Sequence, residues 1–181
     1  MQKITTWLWF DTEAEEAAEF YTSVFPDARI TDVTRYGEAG PRPEGMVMTV
    51  SFELFGREFY ALNGGSNAKI EGYGISFMVE CESQEEVDRY WDRLAEGGQE
   101  IACGWVTDRY GLAWQIIPKR LMELQGDPDR EKAQRAIMAG HSASVRGSSR
   151  VAGSCRNSAY VWCRQSNCQL LFPLVERCQK I

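Results

Sequence analysis

The chain has 181 residues, of which 44% are hydrophobic and 25% charged, a composition that suits one globular domain with a real core or two very small ones. Its formal charge of −6 is unevenly spread: residues 1–138 hold 14 basic and 25 acidic side chains, whereas residues 139–181 hold 6 and 1. An acidic body argues against a nucleic-acid surface, since that binding rests on phosphate neutralisation, and no apolar run approaches the ~20 residues that cross a bilayer.

Ile4 to Phe10, rich in Trp and Thr, predicts a first strand. Thr12 and Glu15 have the spacing of a capping box. Ala14, Ala17, Ala18, Tyr21 and Val24 then follow a helical period as far as Pro26. A strand from Ala28 to about Tyr36 precedes a Pro/Gly loop over residues 36–45, and Met46 to Leu62 reads as a hairpin about Gly56. Asn63 to Ala68 opens a linker that lasts to about Gly74, and Gly64-Gly65 within it lacks the spacing of a phosphate-binding loop.

The plan then starts again. Ile75 to Cys81 predicts a strand, Ser83 with Glu86 a second capping box, and Val87, Tyr90, Trp91 and Leu94 one helical face that Gly97-Gly98 stops. A short strand at about Glu100 to Cys103 leads into the hairpin Cys103 to Pro118, CGWVTDRYGLAWQIIP. Asp108 can cap its turn, and Gly111 can supply the positive φ of a tight reversal. Lys119 to Gln125 reads as a helical turn, and Asp127-Pro128 caps and starts a last amphipathic helix carrying Ala133, Ala136 and Ile137.

The echo is close enough to align. Glu53 stands where Asp108 does, Phe55-Gly56 where Tyr110-Gly111 do, Phe59 where Trp114 does and Tyr60 where Gln115 does, all at one offset. Residues 12–21 and 82–91 also align without a gap, and each segment sets a Glu pair ahead of an aromatic pair. The fold class is therefore α+β, with two tandem βαβββ modules at about 3–64 and 74–125 and a helix at about 127–138.

Trp7-Leu8-Trp9-Phe10-Asp11, Glu15-Glu16-Ala17-Ala18, Phe20-Tyr21 and Phe25-Pro26 form one set of recognisable motifs. Cys103-Gly104-Trp105, Asp108-Arg109-Tyr110-Gly111 and Trp114-Gln115-Ile116-Ile117-Pro118 form another. Together they resemble the PhnB-like branch of the glyoxalase/bleomycin-resistance, or vicinal oxygen chelate, superfamily, over about residues 3–138. Members of that branch are often labelled 3-demethylubiquinone-9 3-methyltransferase. The resemblance implies a cup on each module's sheet. In metal-dependent relatives, four cup positions, mostly His and Glu, hold a divalent ion. Carried over, these positions fall on Gln115, on Tyr60, on Thr5 or Thr6, and on Ile75 or Ser76. None is a histidine or carboxylate, so a metal is not expected. A lyase, isomerase or dioxygenase using a metal held by other residues is the alternative.

Other catalytic routes are thin. Residues 1–138 contain no histidine, which removes the usual acid/base group at neutral pH. Glu53, Glu58, Glu80 and Asp108 would serve only with raised pKa values. Cys103 reads more readily as a buried thiol than as a nucleophile. No glycine-rich strand-to-helix turn suggests a nucleotide-like cofactor, so none is expected and the methyltransferase label is read as a family name.

Aromatic residues carry the positive signal. Trp7, Trp9, Tyr60, Trp105 and Trp114 lie on or beside the strands that would line the cups, and small-molecule sites are mostly apolar with a few placed polar groups. Alternation puts Thr5, Trp7 and Trp9 on one face, and Ala113, Gln115 and Ile117 on one face of the last strand. The candidate ligand-binding set is Thr5, Trp7, Trp9, Tyr60, Ser76, Trp105 and Gln115, and the competing reading is that the aromatics fill core. A small apolar or aromatic ligand, no nucleic-acid or membrane partner, a homodimer and a cytoplasmic location are expected, since the N-terminus lacks a basic region followed by an apolar core.

From about Gly140 the composition shifts to Ser, Arg and Cys, with Cys155, Cys163, Cys168 and Cys178 in no C-x-x-C spacing. A zinc module with His141 and a disulfide framework are both disfavoured. Two readings of residues 139–181 remain: an out-of-frame or otherwise non-native extension, and a basic interaction tail that orders on binding.

Overall fold

The computed structural model describes residues 4–101 and 104–142. Cys103 and the tail beyond Ser142 lie outside the described residues, so the readings attached to them are not addressed. The chain divides into two compact units between Glu71 and Gly72. No helix among the described residues is long and apolar enough to cross a membrane.

The first unit runs β1 (Thr6–Phe10), α1 (Ala14–Val24), β2 (Arg29–Arg35), β3 (Val47–Leu54) and β4 (Arg57–Asn63). Its sheet has the order β1-β4-β3-β2, with β1 parallel to β4 and the other pairs antiparallel. One face of the sheet is covered by α1. Ala14, Ala17 and Ala18 are fully enclosed and bring the helix close, while Tyr21 stacks on Phe52 at 6.0 Å and Phe52 on Phe59 at 5.4 Å. Each such large side chain contributes roughly 1.5–3 kcal/mol of burial.

The hairpin between β3 and β4 turns through Phe55 (φ 48°) and Gly56 (φ 72°), the left-handed pair that a two-residue primed turn requires. Phe55 bears the strain of that conformation, and its ring packs on Phe25 at 5.5 Å. Thr12 and Glu15 do not form the expected capping box. Glu13 occupies the N-cap without a side-chain cap bond, and the Ala14 N–H donates instead to Asn63 Oδ1 at 2.8 Å. A strand side chain 49 residues away thus satisfies the helix start.

The second unit repeats the order as β5 (Ser76–Cys81), α2 (Gln84–Ala95), β6 (Gln99–Glu100), β7 (Trp105–Thr107) and β8 (Ala113–Pro118). Two helices follow, α3 (Lys119–Gln125) and α4 (Arg130–Ser142). Sheet order β5-β8-β7-β6 reproduces the first module strand for strand, with β5 parallel to β8. Here Ser83 does cap the helix, since the Glu86 N–H donates to Ser83 Oγ at 3.3 Å, while the Glu86 carboxylate reaches one residue past the cap and accepts from the Glu82 N–H at 2.8 Å. Val87, Tyr90 and Leu94 pack under the sheet with Val106, Trp114 and Ile116, and all six are buried.

Three expectations shift in this unit. Of the strand expected at about 100–103, Glu100 belongs to the two-residue β6 and Ile101 lies past its end, while 102–103 are outside the described residues; Gly98, just before β6, meets the Thr107 backbone so closely that an added Cβ would lie 1.9 Å from Thr107 O. The cap of α4 is Asp129 rather than Asp127: its Oδ1 accepts from the Glu131 and Lys132 N–H groups, leaving Asp127 to pair with Lys132 at 2.5 Å. Trp114 is not a cup residue. It is buried on the helix side and donates its indole N–H to Asp108 Oδ2 at 2.8 Å.

Candidate functional site

Each module leaves one sheet face uncovered by its own helix, and strand alternation decides which side chains reach it. In the first module, Leu8 and Phe10 turn to α1 and are buried, so Trp7 and Trp9 point the other way. On β4, Phe59, Ala61 and Asn63 are buried, which sends Glu58, Tyr60 and Leu62 to the open face. Residues Thr49, Ser51 and Glu53 of β3 join them.

The parallel register sets Trp7 beside Tyr60. Their rings stack at 4.6 Å with only 7° between planes, and Trp7 remains 53% exposed. The Tyr60 hydroxyl donates to Glu58 Oε1 at 3.0 Å. That bond raises the Tyr60 pKa, assisted by burial and by the charges of Glu58 and Asp32, while a hydrogen bond with Ser51 opposes it. Tyr60 is therefore a neutral donor at physiological pH rather than a base. Further along β1, the Trp9 indole N–H donates to Gly65 O at 2.6 Å. Gly64 lies so close over that ring that any Cβ would overlap it, so the pair read as a plain linker is a clamp on Trp9.

Ser51 and Asp32 were not singled out by the sequence. Ser51 follows from the alternation of Thr49, Ser51 and Glu53 with Val50, Phe52 and Leu54. Asp32 does not, because a bulge at Thr31 shifts the register between Ile30–Phe52 and Asp32–Ser51. Thr5 precedes β1 and is half-buried; alternation places it on the side of Trp7, whereas Thr6 pairs with buried Phe59.

The second module brings a different pair together. Gln115 Nε2 donates to Ser76 Oγ at 2.8 Å, and Trp105 sits opposite Gln115 in the β7–β8 register. Tyr73 meets Trp105 edge-on at 6.2 Å. Met78, at the position equivalent to Trp7, is 45% exposed. The seven candidate residues thus form two sets, Thr5, Trp7, Trp9 and Tyr60 in one unit and Ser76, Trp105 and Gln115 in the other.

The donor chemistry does not suit a divalent ion. Tyr60, Ser76, Gln115 and Thr5 are all neutral, Ser76 Oγ already accepts from Gln115 Nε2, and no group of three or more His, Cys, Asp or Glu converges among the described residues. Three of the four carboxylates named as possible acids are otherwise engaged, and Glu80 is exposed on β5: Glu53 pairs with Arg29 at 2.6 Å and Glu58 accepts from Tyr60. Asp108 is 3% exposed and accepts from the Tyr110 and Leu112 N–H groups and from Trp114. It organises a turn instead of facing a ligand.

Known proteins place this architecture. The family model described as 3-demethylubiquinone-9 3-methyltransferase matches residues 2–117. Among solved structures, a Bacillus cereus PhnB protein carrying the same description is 37% identical, with 65% of this chain and 99% of that one covered at a TM-score of 0.57. A Pseudomonas aeruginosa protein, 23% identical over 63% of this chain and 95% of that one with a TM-score of 0.51, shares the fold. No curated protein gives a significant match. With the family model spanning both βαβββ modules and the PhnB relative covered almost end to end, the chain belongs to the PhnB-like family described as 3-demethylubiquinone-9 3-methyltransferase.

Proposed function

We propose that the protein binds a small apolar or aromatic molecule, without a metal, on the open sheet face of its first module. The observation that carries this reading is the coplanar Trp7–Tyr60 pair, held by the strand register and exposed on the Trp7 side. A ring already locked in a stack presents flat apolar area at little further entropy cost. The hydroxyls of Ser51, Thr49 and Thr34 share that face and supply the few polar groups that orient a ligand. On the second module, the Ser76–Gln115 pair beside Trp105 offers a smaller patch of the same kind.

Methyl transfer is kept as the description of the family and not as this chain's activity. Both strand-to-helix turns, residues 11–13 and 82–83, are free of glycine, and such a turn is where a nucleotide-like cofactor commonly rests.

The test is a titration with quinoline at mildly alkaline pH, followed by tryptophan fluorescence and by melting temperature. Saturable binding is expected, and Trp7→Ala should weaken it about tenfold, in line with stacking of ~1–3 kcal/mol. Elemental analysis and melting curves with Mg²⁺, Mn²⁺, Fe²⁺, Ni²⁺ and Zn²⁺ run alongside. A stoichiometric metal or a saturable upward shift with any of them would overturn the metal-free reading.

A further inference from the structure

Resting on the reading of the open sheet faces as binding surfaces, we propose that the second module's face takes a neutral cyclic amide, a lactam, paired edge to edge with the Gln115 carboxamide and lying against the Trp105 ring. Register lays Met78, Gln115 and Trp105 in one row across the sheet, with Gln115 on β8 between β5 and β7. Met78 alternates with buried Val79 and Trp105 with buried Val106, so the row stands on the face opposite those two. Ser76 shares that face and receives the Gln115 Nε2–H at 2.8 Å, and Tyr73 meets Trp105 edge-on at 6.2 Å.

The bond to Ser76 fixes the carboxamide but uses only part of its capacity. A glutamine amide offers two N–H donors and an oxygen with two lone pairs, and a serine hydroxyl offers one donor and two lone pairs. Among the described residues, the second Nε2 hydrogen, Oε1 and the Ser76 hydroxyl proton take no further partner. A part-buried amide in that state presents donor and acceptor together, already tied in place, so a ligand that pairs with it freezes little additional side-chain motion. The row carries no ionised side chain, and nothing in it offsets the desolvation of a charged ligand. Ring closure supplies the matching shape. An open-chain secondary amide is trans and turns its N–H and C=O to opposite sides, whereas a small lactam is held cis and shows both on one edge. Its N–H donates to Oε1, its C=O accepts from Nε2 or from the Ser76 hydroxyl, and its ring covers Trp105.

Isoquinolin-1-one and its lactone isostere isocoumarin separate the amide from stacking. Calorimetric titrations use the full chain carrying Trp7→Ala, which removes the first module's platform. The lactam is expected to bind about tenfold tighter than the lactone, since exchanging N–H for a ring oxygen sets a lone pair against Oε1. In the same background, Gln115→Leu should erase that preference while leaving isocoumarin within about twofold. Ser76→Ala unties the amide without removing it and should narrow the preference to about threefold. Equal affinities for lactam and lactone, a preference that survives Gln115→Leu, or no binding of the lactam to the Trp7→Ala chain would overturn the amide assignment. The part of quinoline binding that depends on Trp7 reports the first module separately: its presence keeps that platform standing when the lactam fails, and its absence removes the platform whatever the lactam does.

Discussion

Replacing Asp108 by Asn puts an NH₂ group where the carboxylate accepts three hydrogen bonds in a buried turn. Oδ1 accepts from the Tyr110 N–H at 2.9 Å and the Leu112 N–H at 3.1 Å, and Oδ2 accepts from the Trp114 indole at 2.8 Å. The asparagine must set its NH₂ against either the two amides or the indole. The cheaper choice keeps the amides and leaves the indole facing a donor. That loses a charge-assisted hydrogen bond and strands a buried N–H, each worth about 1–3 kcal/mol, while removing a buried charge returns part of the cost. A net loss of ~2–4 kcal/mol is expected. Trp114→Phe deletes the indole donor, so Asp108→Asn should cost at least about 1 kcal/mol less in that background. Urea unfolding followed by far-ultraviolet circular dichroism gives all four corners of the cycle, because the signal does not depend on the tryptophan removed. A neutral Asp108→Asn, or an equal cost in both backgrounds, would refute the claim that this tie organises the hairpin. Quinoline affinity should be unchanged, since the carboxylate points into the core.

Asn63→Leu should cost about 2–4 kcal/mol and speed hydrogen exchange at the Ala14 amide, because Ala14 N–H and Val47 O both lose a buried partner. Gly98→Ala should be severe, more than about 3 kcal/mol by urea midpoint, since its Cβ would strike Thr107 backbone. Gly56→Ala meets open space and should cost only the left-handed backbone penalty, about 1–2 kcal/mol. Tyr90 has its pKa raised above 10.0, chiefly by burial, so the native state holds the proton longer than the unfolded chain does. Its contribution is complete below pH 10.0 and is lost as pH rises through the folded value; Tyr90→Phe should flatten that alkaline decline in denaturant titrations.

Local pattern made most of the fold legible. The period of α1 and α2 and the Phe55-Gly56 turn lie within a few residues of the structure they specify, and the constant offset between Tyr60 and Gln115 reports the repeat of that local pattern. Contacts between distant segments were hidden. Thr12 and Glu15 fit a capping box, yet the helix starts two residues after Thr12 and takes its acceptor from Asn63, which no spacing rule links to Ala14. Asp32 was masked by the bulge: Ile30 and Val33, three apart, oppose buried Phe52 and Val50, which breaks the two-residue period on which face assignments depend. Trp114 was misplaced for another reason. The alternation that set Ala113, Gln115 and Ile117 on one face already sent it to the opposite one, and its aromatic character outweighed that parity.

The two modules separate what a fold dictates from what a sequence chooses. The β1–β4 and β5–β8 pairs have one geometry, and it places Trp7 beside Tyr60 in one module and Met78 beside Gln115 in the other. A parallel pair brings those side chains together whatever their chemistry. In the first module the outcome is a locked aromatic surface with carboxylates at its edge. In the second, the amide turns to Ser76 and the thioether stays partly exposed. Position in the repeat thus explains why these residues meet, and side-chain type alone explains what each meeting can bind. The discriminating substitution follows from that division: Tyr60→Gln gives the first module the residue its counterpart carries, should leave the register and stability nearly intact, and should remove the preference for planar ligands.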